Sequence, residues 1–228
     1  MKLSIIIPAY NERATIAELL ARVRAVPGEK EILVVDDASR DGTSELLRSL
    51  AAPPVRLFFH ERNRGKGAAI RTALPHVTGD VVIIQDADLE YDPGDYPRLV
   101  APIASGEADV VYGSRFLGRG HRASSRWHYA VNQVLTRLSN LFTGLRLSDM
   151  ETCYKAFRAD LVRDLPLVSD GFDIEPELTA RAARRGARFR EVPISYHGRS
   201  GGEGKKIGWR DGWRALRAIV RFSLSARS

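Results

Sequence analysis

The first half of the chain repeats a pattern that few folds can absorb: a short apolar run, a helix-like segment, then the same pair again. Runs suited to strands fall at 3–7, 31–35, 55–59, 80–85 and 109–112. Helical patterns fall between them, at 12–25, 43–51, 67–74 and 96–105. In the first of these, Ile16, Leu19, Leu20 and Val23 recur at the spacing of one helix face. Pro27-Gly28 and Pro53-Pro54 punctuate the segment ends. Strand–helix alternation of this kind predicts an α/β chain with a mainly parallel sheet and helices on both faces. In such sheets ligands bind beyond the carboxyl ends of the strands, so the residues that end each run are the first candidates for function.

Those residues are acidic. The fourth run, Val81-Val82-Ile83-Ile84, leads directly into Gln85-Asp86-Ala87-Asp88-Leu89-Glu90. If the chain stays extended, residues two apart point the same way, and Asp86, Asp88 and Glu90 converge. Carboxylates so placed repel one another unless a cation neutralises them. Hard oxygen donors suit Mg²⁺ or Mn²⁺, which in turn bridge phosphates. The competing reading is a polar turn after a buried strand, with an aspartate capping a helix near Pro93, and the D-x-D spacing alone does not separate the two. The second run ends in Asp36-Asp37-Ala38-Ser39. Asp37 is placed to accept hydrogen bonds from a nucleobase or ribose, while Ser39 or Asp41 suits the cap of the next helix. The first run ends in Pro8-Ala9-Tyr10-Asn11-Glu12, with Tyr10 placed to stack on a base and Glu12 opening a helix.

The second half is less regular. Residues 126–143 read as a helix with Trp127, Val131, Val134, Leu138 and Leu141 on one stripe. Strands are expected at 152–157 and 189–194, a helix at 174–185, and a glycine-rich loop at 198–208. A final amphipathic helix, 209–224, gathers Trp209, Trp213, Leu216 and Val220 on one face, with Arg210, Arg214, Arg217 and Arg221 on its flank. That helix either lies on an anionic membrane surface or packs on the core with its arginine stems along the edge.

Charge divides the chain where regularity does. Residues 1–118 hold 14 Lys and Arg against 17 Asp and Glu, a net charge of −3, and residues 119–228 hold 21 against 11, a net of +10. The first portion is expected to bind nucleotide and metal, the second an anionic partner, within one continuous domain.

Several classes drop out. No G-x-x-x-x-G-K-[ST] is present, and the first strand–helix turn has no glycine, which argues against P-loop and dinucleotide folds. The histidines never fall at zinc-ligand spacing beside Cys153, and a lone cysteine allows no internal disulfide. The aromatics are not interleaved with the basic residues as base-stacking platforms require, so nucleic acid is not an expected partner. No stretch approaches the roughly 20 apolar residues of a membrane span, and the N-terminal run is too short for a signal peptide. A cytoplasmic protein, at most peripheral on the membrane, is the expectation.

Taken together, Ile6-Ile7-Pro8-Ala9-Tyr10-Asn11-Glu12, Val35-Asp36-Asp37-Ala38-Ser39-Arg40-Asp41-Gly42-Thr43 and Asp86-Ala87-Asp88 resemble glycosyltransferase family two, with its Rossmann-like GT-A fold. Tyr112-Gly113-Ser114-Arg115-Phe116 and the stretch from Glu191-Val192-Pro193 to Glu203-Gly204-Lys205-Lys206 narrow the likeness to polyprenol-phosphate sugar synthases, dolichol-phosphate mannose synthases among them. The resemblance implies that Pro8, Tyr10, Glu12 and Asp37 surround the nucleoside, with Lys66 also on the substrate side. It implies that Asp86 and Asp88 serve Mg²⁺ or Mn²⁺ and the diphosphate, with Glu90 standing where the family often places a glutamine ligand. Arg115 matches an arginine that contacts the acceptor phosphate, Arg126 falls near a second, and Arg199 and Lys205 match a basic loop that closes over phosphates.

The implied reaction is a single inverting displacement: a hexose leaves a nucleotide sugar such as GDP-mannose or UDP-glucose and joins a polyprenyl phosphate. A lipid monophosphate, with a second pKa of ~6, needs no general base. A sugar hydroxyl does need one, and Asp149 or Glu151 is placed to serve. If the acceptor is a phosphate, these carboxylates instead orient it or pair with Arg115. A soluble-acceptor transferase and, from another class, a nucleotidyltransferase remain as rivals; the latter usually has a glycine-rich basic loop after the first strand, where this chain has Pro8–Glu12.

Overall fold

The computed structural model describes residues 1–117, 126–198 and 209–224. Strands β1 (Leu3–Ala9), β2 (Lys30–Asp36), β3 (Val55–Phe59) and β4 (Val81–Ile84) alternate with helices α1 (Ile16–Ala25), α2 (Thr43–Ser49) and α3 (Lys66–Ala73). Then follow α4 (Tyr96–Ala104), β5 (Val110–Ser114), α5 (Arg126–Thr143), β6 (Lys155–Arg158), α6 (Ala159–Arg163), α7 (Ile174–Arg184), β7 (Phe189–Pro193) and α8 (Trp209–Leu224). Among the described residues the strands form one seven-stranded sheet in the order β3-β2-β1-β4-β6-β5-β7. Strands β1 to β4 are mutually parallel, as the alternation predicts, and β7 is parallel to β5.

The exception is β6, which runs antiparallel to both β4 and β5 between them. A strand from the basic half thus completes the sheet of the acidic half. The side-chain pattern explains why the central strands tolerate burial on both faces. Ile5, Ile6 and Ile7 of β1 and Ile32 to Val35 of β2 are fully buried, without polar alternation. Each such side chain contributes about 1.5–3 kcal/mol, so a charge at Ile6 would break the sheet at its middle.

The helix starts are shorter than the sequence pattern predicts in one place: α1 begins at Ile16 rather than 12, because Glu12 serves its first turn from outside. Of the apolar face expected for the last helix, Leu216 packs against the core and Val220 is exposed. In α8, Ala215, Ala218, Ile219 and Phe222 are buried, while Arg214, Arg217, Val220 and Arg221 face solvent. Its apolar side therefore packs against α5 and α7, and Leu216 meets the core rather than a membrane. The side chains of Trp209, Arg210 and Trp213 lie outside those described. Among the described residues no helix is long and apolar enough to cross a membrane.

Candidate active site

At the carboxyl ends of β1, β2 and β4 the chain turns sharply. Asn11, Ala38 and Leu89 all take left-handed φ values, of 54°, 61° and 62°. A residue with a Cβ adopts this region at a cost of roughly 1 kcal/mol, and such placements cluster where a fold holds a ligand. All three lie just beyond strands at one edge of the sheet. The turn at Leu89 also corrects the expected geometry of the acidic run: β4 ends at Ile84, and residues 87–90 form a turn rather than an extended continuation. Asp86, Asp88 and Glu90 are half-buried, but among the described residues no three His, Cys, Asp or Glu side chains form a metal-holding group.

Each carboxylate has its own neighbours. Asp86 pairs with Lys66 at 2.7 Å. The Lys66 ammonium also reaches Glu175 at 2.8 Å, and Glu175 in turn pairs with the fully buried Lys155. Burial works to raise the Asp86 carboxyl pKa, yet the Lys66 ammonium outweighs it and holds the group below the usual carboxylate range. Burial likewise opposes the charge on Lys66, but Asp86, with Cys153 and Glu175, keeps its pKa well above the ordinary value. Lys66 reaches this position because Gly65, with φ of 100°, and Gly67 let the start of α3 press on the carbonyls of Asp170 and Ser169. A Cβ at either glycine would overlap those carbonyls. Asp88 accepts the backbone N–H of Glu90 at 3.2 Å, and Glu90 accepts the hydroxyl of Tyr196 at 2.8 Å.

This arrangement suits a metal that arrives with its substrate. Mg²⁺ and Mn²⁺ sites for phosphoryl groups commonly use one or two carboxylates and complete their shell from phosphates and water. Asp86, with a quarter of its side chain exposed, and the adjacent Asp88 offer that donor set without an all-protein cage. Glu90, drawn towards Tyr196, is not grouped with them as a third ligand.

Pro8 and Tyr10, expected at the nucleoside, are half-buried at the end of β1. Asp37 is buried and turned inward. It accepts His60 Nδ1 at 2.6 Å and the backbone N–H groups of Arg64 and Gly65 at 2.8 and 2.7 Å, so it clasps the loop between β3 and α3. Protein partners thus take three of its roughly four acceptor positions. Glu12 is buried too, accepting the Thr15 hydroxyl at 2.9 Å while its own N–H donates to Thr43.

The second cluster centres on Arg115, just after β5. Its Nε and Nη2 donate to the two oxygens of Asp149, each at 2.7 Å, and its backbone N–H adds a third bond at 3.1 Å. Asn132 of α5 supplies a fourth at 3.0 Å. Glu191 of β7 accepts the N–H groups of Ser148 and Asp149, fixing the segment that carries the aspartate. Asp149 has no exposed surface; burial favours its neutral form, but Arg115 outweighs that and keeps its pKa low. The guanidinium also lies 5.3 Å from the Tyr196 ring centroid, so Tyr196 touches both Arg115 and Glu90 and links the two clusters. Glu151 differs: burial pushes its pKa up to about 7 against the pull of Lys155, and one carboxylate oxygen has no hydrogen-bond partner.

The structure therefore brings Lys66 to Asp86, and Arg115 to Asp149. It does not describe Arg199 or Lys205, nor the side chain of Arg126. Sequence reasoning missed Glu175, Lys155, Asn132 and Tyr196. Glu175 and Glu177 gave no signal in the sequence, because acidic residues in the first turn of a helix are ordinary; only the structure shows them buried.

Comparison with known proteins places this geometry. Residues 4–165 match Glycosyl transferase family 2. The chain belongs to this family. It is 34% identical to undecaprenyl-phosphate mannosyltransferase of Micrococcus luteus, over 100% of this chain and 96% of that protein. It is 32% identical to undecaprenyl-phosphate 4-deoxy-4-formamido-L-arabinose transferase of Shewanella sediminis, over 89% of this chain but only 61% of that longer protein. In fold it matches glucosyl-3-phosphoglycerate synthase of Mycobacterium tuberculosis, solved with Mg²⁺ and UDP, at a TM-score of 0.77 and 21% identity, over 100% of this chain and 81% of that one. The protein is thus a glycosyltransferase of GT-A fold, in the branch whose relatives act on polyprenyl phosphates.

Proposed function

We propose that this glycosyltransferase moves a hexose, with inversion, from a nucleoside-diphosphate sugar to a polyprenyl monophosphate, using Mg²⁺ or Mn²⁺. The observation that carries the reading is the Arg115–Asp149 pair. Asp149 spends both oxygens on Arg115 and Asn132, has no exposed surface and is held below the usual carboxylate range, which makes it a poor proton acceptor. Its effect is to lock a guanidinium at the end of β5 through Nε and Nη2, so that only the N–H groups not spent on Asp149 are left for a phosphate. A phosphate acceptor needs the fixed cation and dispenses with the base. The printed names of the relatives, two of them undecaprenyl-phosphate transferases, support the same acceptor.

On this reading an oxygen of the acceptor phosphate attacks the anomeric carbon as the bond from that carbon to the β-phosphate oxygen breaks. The nucleoside diphosphate departs with the electron pair, and no proton changes hands at the attacking atom. A divalent cation, held by Asp86 and Asp88, would offset the charge gathering on the leaving diphosphate. Lys66 holds Asp86 in place and adds positive charge beside it. Pro8, Tyr10, Glu12 and Asp37 shape the nucleoside end, and Arg126, Arg199 and Lys205 are assigned to the phosphates by the family resemblance. A protein with this acceptor works at the cytoplasmic membrane surface. The test is label transfer from GDP-mannose and from UDP-glucose, with Mg²⁺ or Mn²⁺, to a short-chain polyprenyl phosphate. Labelled lipid from the wild type and none from Asp88→Ala or Arg115→Ala is the expected result; donor hydrolysis without labelled lipid would overturn the acceptor.

One observation favours a second reading. Glu151, with a pKa near neutrality and an unpartnered oxygen, has the properties of a general base for a hydroxyl acceptor. Glu151→Gln separates the two: it abolishes transfer to a hydroxyl and leaves transfer to a phosphate largely intact.

A further inference from the structure

Tyr196 stands where the two clusters meet. Its hydroxyl donates to Glu90 at 2.8 Å, and the Arg115 guanidinium lies over its ring, 5.3 Å from the centroid, where the charge also acts on the hydroxyl. The rest of the residue is fixed. Its backbone bridges that of Tyr91, and the Tyr91 ring meets its own edge-on, with centroids 5.3 Å apart. Tyr91 packs in turn on Tyr154 at 4.8 Å, and the hydroxyls of Tyr154 and Tyr96 both donate to the buried Gln85. On either side of Tyr196, the Ser195 N–H donates to Asp95 at 2.6 Å and the His197 N–H to the Glu90 carbonyl at 2.8 Å. A ring held by this scaffold can change little except the direction of its O–H, which turns about the bond from oxygen to ring and can meet a different acceptor.

The Glu90 end can move. Its N–H is tied to the Asp88 carboxylate at 3.2 Å, in the turn that follows β4, so its side chain swings from a backbone anchored beside Asp88. The bond to Tyr196 draws that side chain towards Arg115, and among the described residues it is not gathered with Asp86 and Asp88 into a metal-holding group. A divalent cation at those two aspartates attracts a third carboxylate so close at hand. We infer that the Tyr196 hydroxyl is a positioning group that couples the two ends of the site. In one state its O–H donates to Glu90; once a cation and diphosphate draw Glu90 towards Asp86 and Asp88, it donates to a phosphate held by the unspent N–H groups of Arg115. No proton is transferred, and only the acceptor of one hydrogen bond changes. Occupancy at either end then favours occupancy at the other, and by linkage the factor is the same in both directions. The inference rests on the metal and lipid-phosphate reading of the proposed function.

The experiment is a binding cycle on the full chain. Calorimetry gives the affinity for a short-chain polyprenyl phosphate, with and without Mn²⁺ and whichever of UDP and GDP binds. Electron paramagnetic resonance gives the affinity for Mn²⁺ beside that diphosphate, with and without the lipid phosphate. In the wild type each ligand should bind about tenfold tighter when the other is present. Tyr196→Phe should move the two ends in opposite directions. Without lipid phosphate it should bind Mn²⁺ severalfold tighter, because Glu90 no longer gives up a hydrogen bond to reach the cation. With Mn²⁺ and diphosphate bound it should hold the lipid phosphate severalfold more weakly, and the coupling should fall to about twofold or less. Glu90→Gln keeps an acceptor for the hydroxyl but removes the charge that the cation attracts, so the coupling should fall there too. A residue that only propped the fold would weaken one or both ends, would leave their coupling alone and would not tighten Mn²⁺. Wild-type ends that bind independently, or a Tyr196→Phe variant coupled as in the wild type, overturn the inference and leave the acceptor reading standing. A wild type that binds no lipid phosphate, or no Mn²⁺, removes the proposed function, and the inference with it.

Discussion

Two aspartates, Asp86 and Asp149, each sit against a basic side chain, and the contrast between them separates the two ends of the site. Asp149 is closed: fully buried, gripped bidentately by Arg115 and bonded again by Asn132. Asp86 is open: a quarter of its side chain reaches solvent, and its partner Lys66 is shared with Glu175. A carboxylate in the first condition can only position its partner. One in the second can exchange partners, since Lys66 keeps a buried anion, Glu175, when Asp86 turns to another cation. Under the proposed function, the contrast suits Arg115 as a fixed acceptor cation and Asp86 as a metal ligand that accommodates a departing diphosphate.

The comparison breaks most visibly in stability. Asp149→Ala leaves the Arg115 guanidinium buried without its counter-ion, a change worth about 3–5 kcal/mol. Asp86→Ala leaves Lys66 a counter-ion in Glu175 and should cost less than that. Urea unfolding of both variants measures the difference, and equal losses would remove the distinction between closed and open pairs. In activity the order reverses in kind. Asp86→Asn should keep the fold and lower kcat/KM on the order of 100-fold, about 2.7 kcal/mol, with a weakened response to added Mg²⁺ or Mn²⁺. Full activity in that variant would take Asp86 out of the metal site.

Glu151 sharpens the same comparison through pH, as an acidic group near Asp149 that lacks an arginine of its own. Its pKa is about 7 in the folded protein against an ordinary 4.5, raised by burial and by the nearby charges of Glu175 and Asp149, while Lys155 and Arg115 pull it down. Below pH 4.5 both folded and unfolded forms keep the proton, so the group has no effect. Between 4.5 and about 7 the unfolded chain releases it and the folded one does not, so stability falls as pH rises. Above about 7 the penalty is complete. Glu151→Gln should therefore gain about 3 kcal/mol over wild type at pH 8 and little at pH 4.5, read from urea midpoints at the two pH values. A gain of the same size at both would assign the effect to packing.

How legible these regions were differs, and for a physical reason. The parallel strands β1 to β4 were readable because each is a local apolar run, and the helix 126–143 because its period is local too. The antiparallel insertion of β6 was not, since strand order depends on contacts far apart in sequence. In the site, Asp86 and Asp88 were singled out by position after a strand, and Arg115 by the family resemblance alone. The alternation argument for Asp86, Asp88 and Glu90 assumed an extended chain, whereas β4 ends at Ile84 and residues 87–90 turn, with Leu89 left-handed. The partners that decide what each charge does come from the other half of the chain. Glu175 is 109 residues from Lys66, and Tyr196 is 106 from Glu90. The same holds for α8, where Val220 was expected on the apolar face but packing against α5 and α7 buries Ala215, Ala218, Ile219 and Phe222 and leaves Val220 exposed.

The smallest effect lies in the link between Lys66 and the second half of the chain. Glu175 does not face the site; it acts through Lys66, and with Lys155 it forms the buried line Lys155–Glu175–Lys66–Asp86. Glu175→Gln keeps the shape and removes the charge that divides Lys66 between two carboxylates. Lys66 should then press harder on Asp86, compete with the divalent cation, and raise the metal concentration for half-maximal rate about tenfold, about 1.4 kcal/mol. The rate at saturating metal should change much less. A residue that merely supports the fold would lower the saturated rate or the stability and leave the metal dependence where it was. Glu175→Asp, which restores the charge one methylene shorter, should recover part of the metal response, and its failure to do so would confine Glu175 to packing.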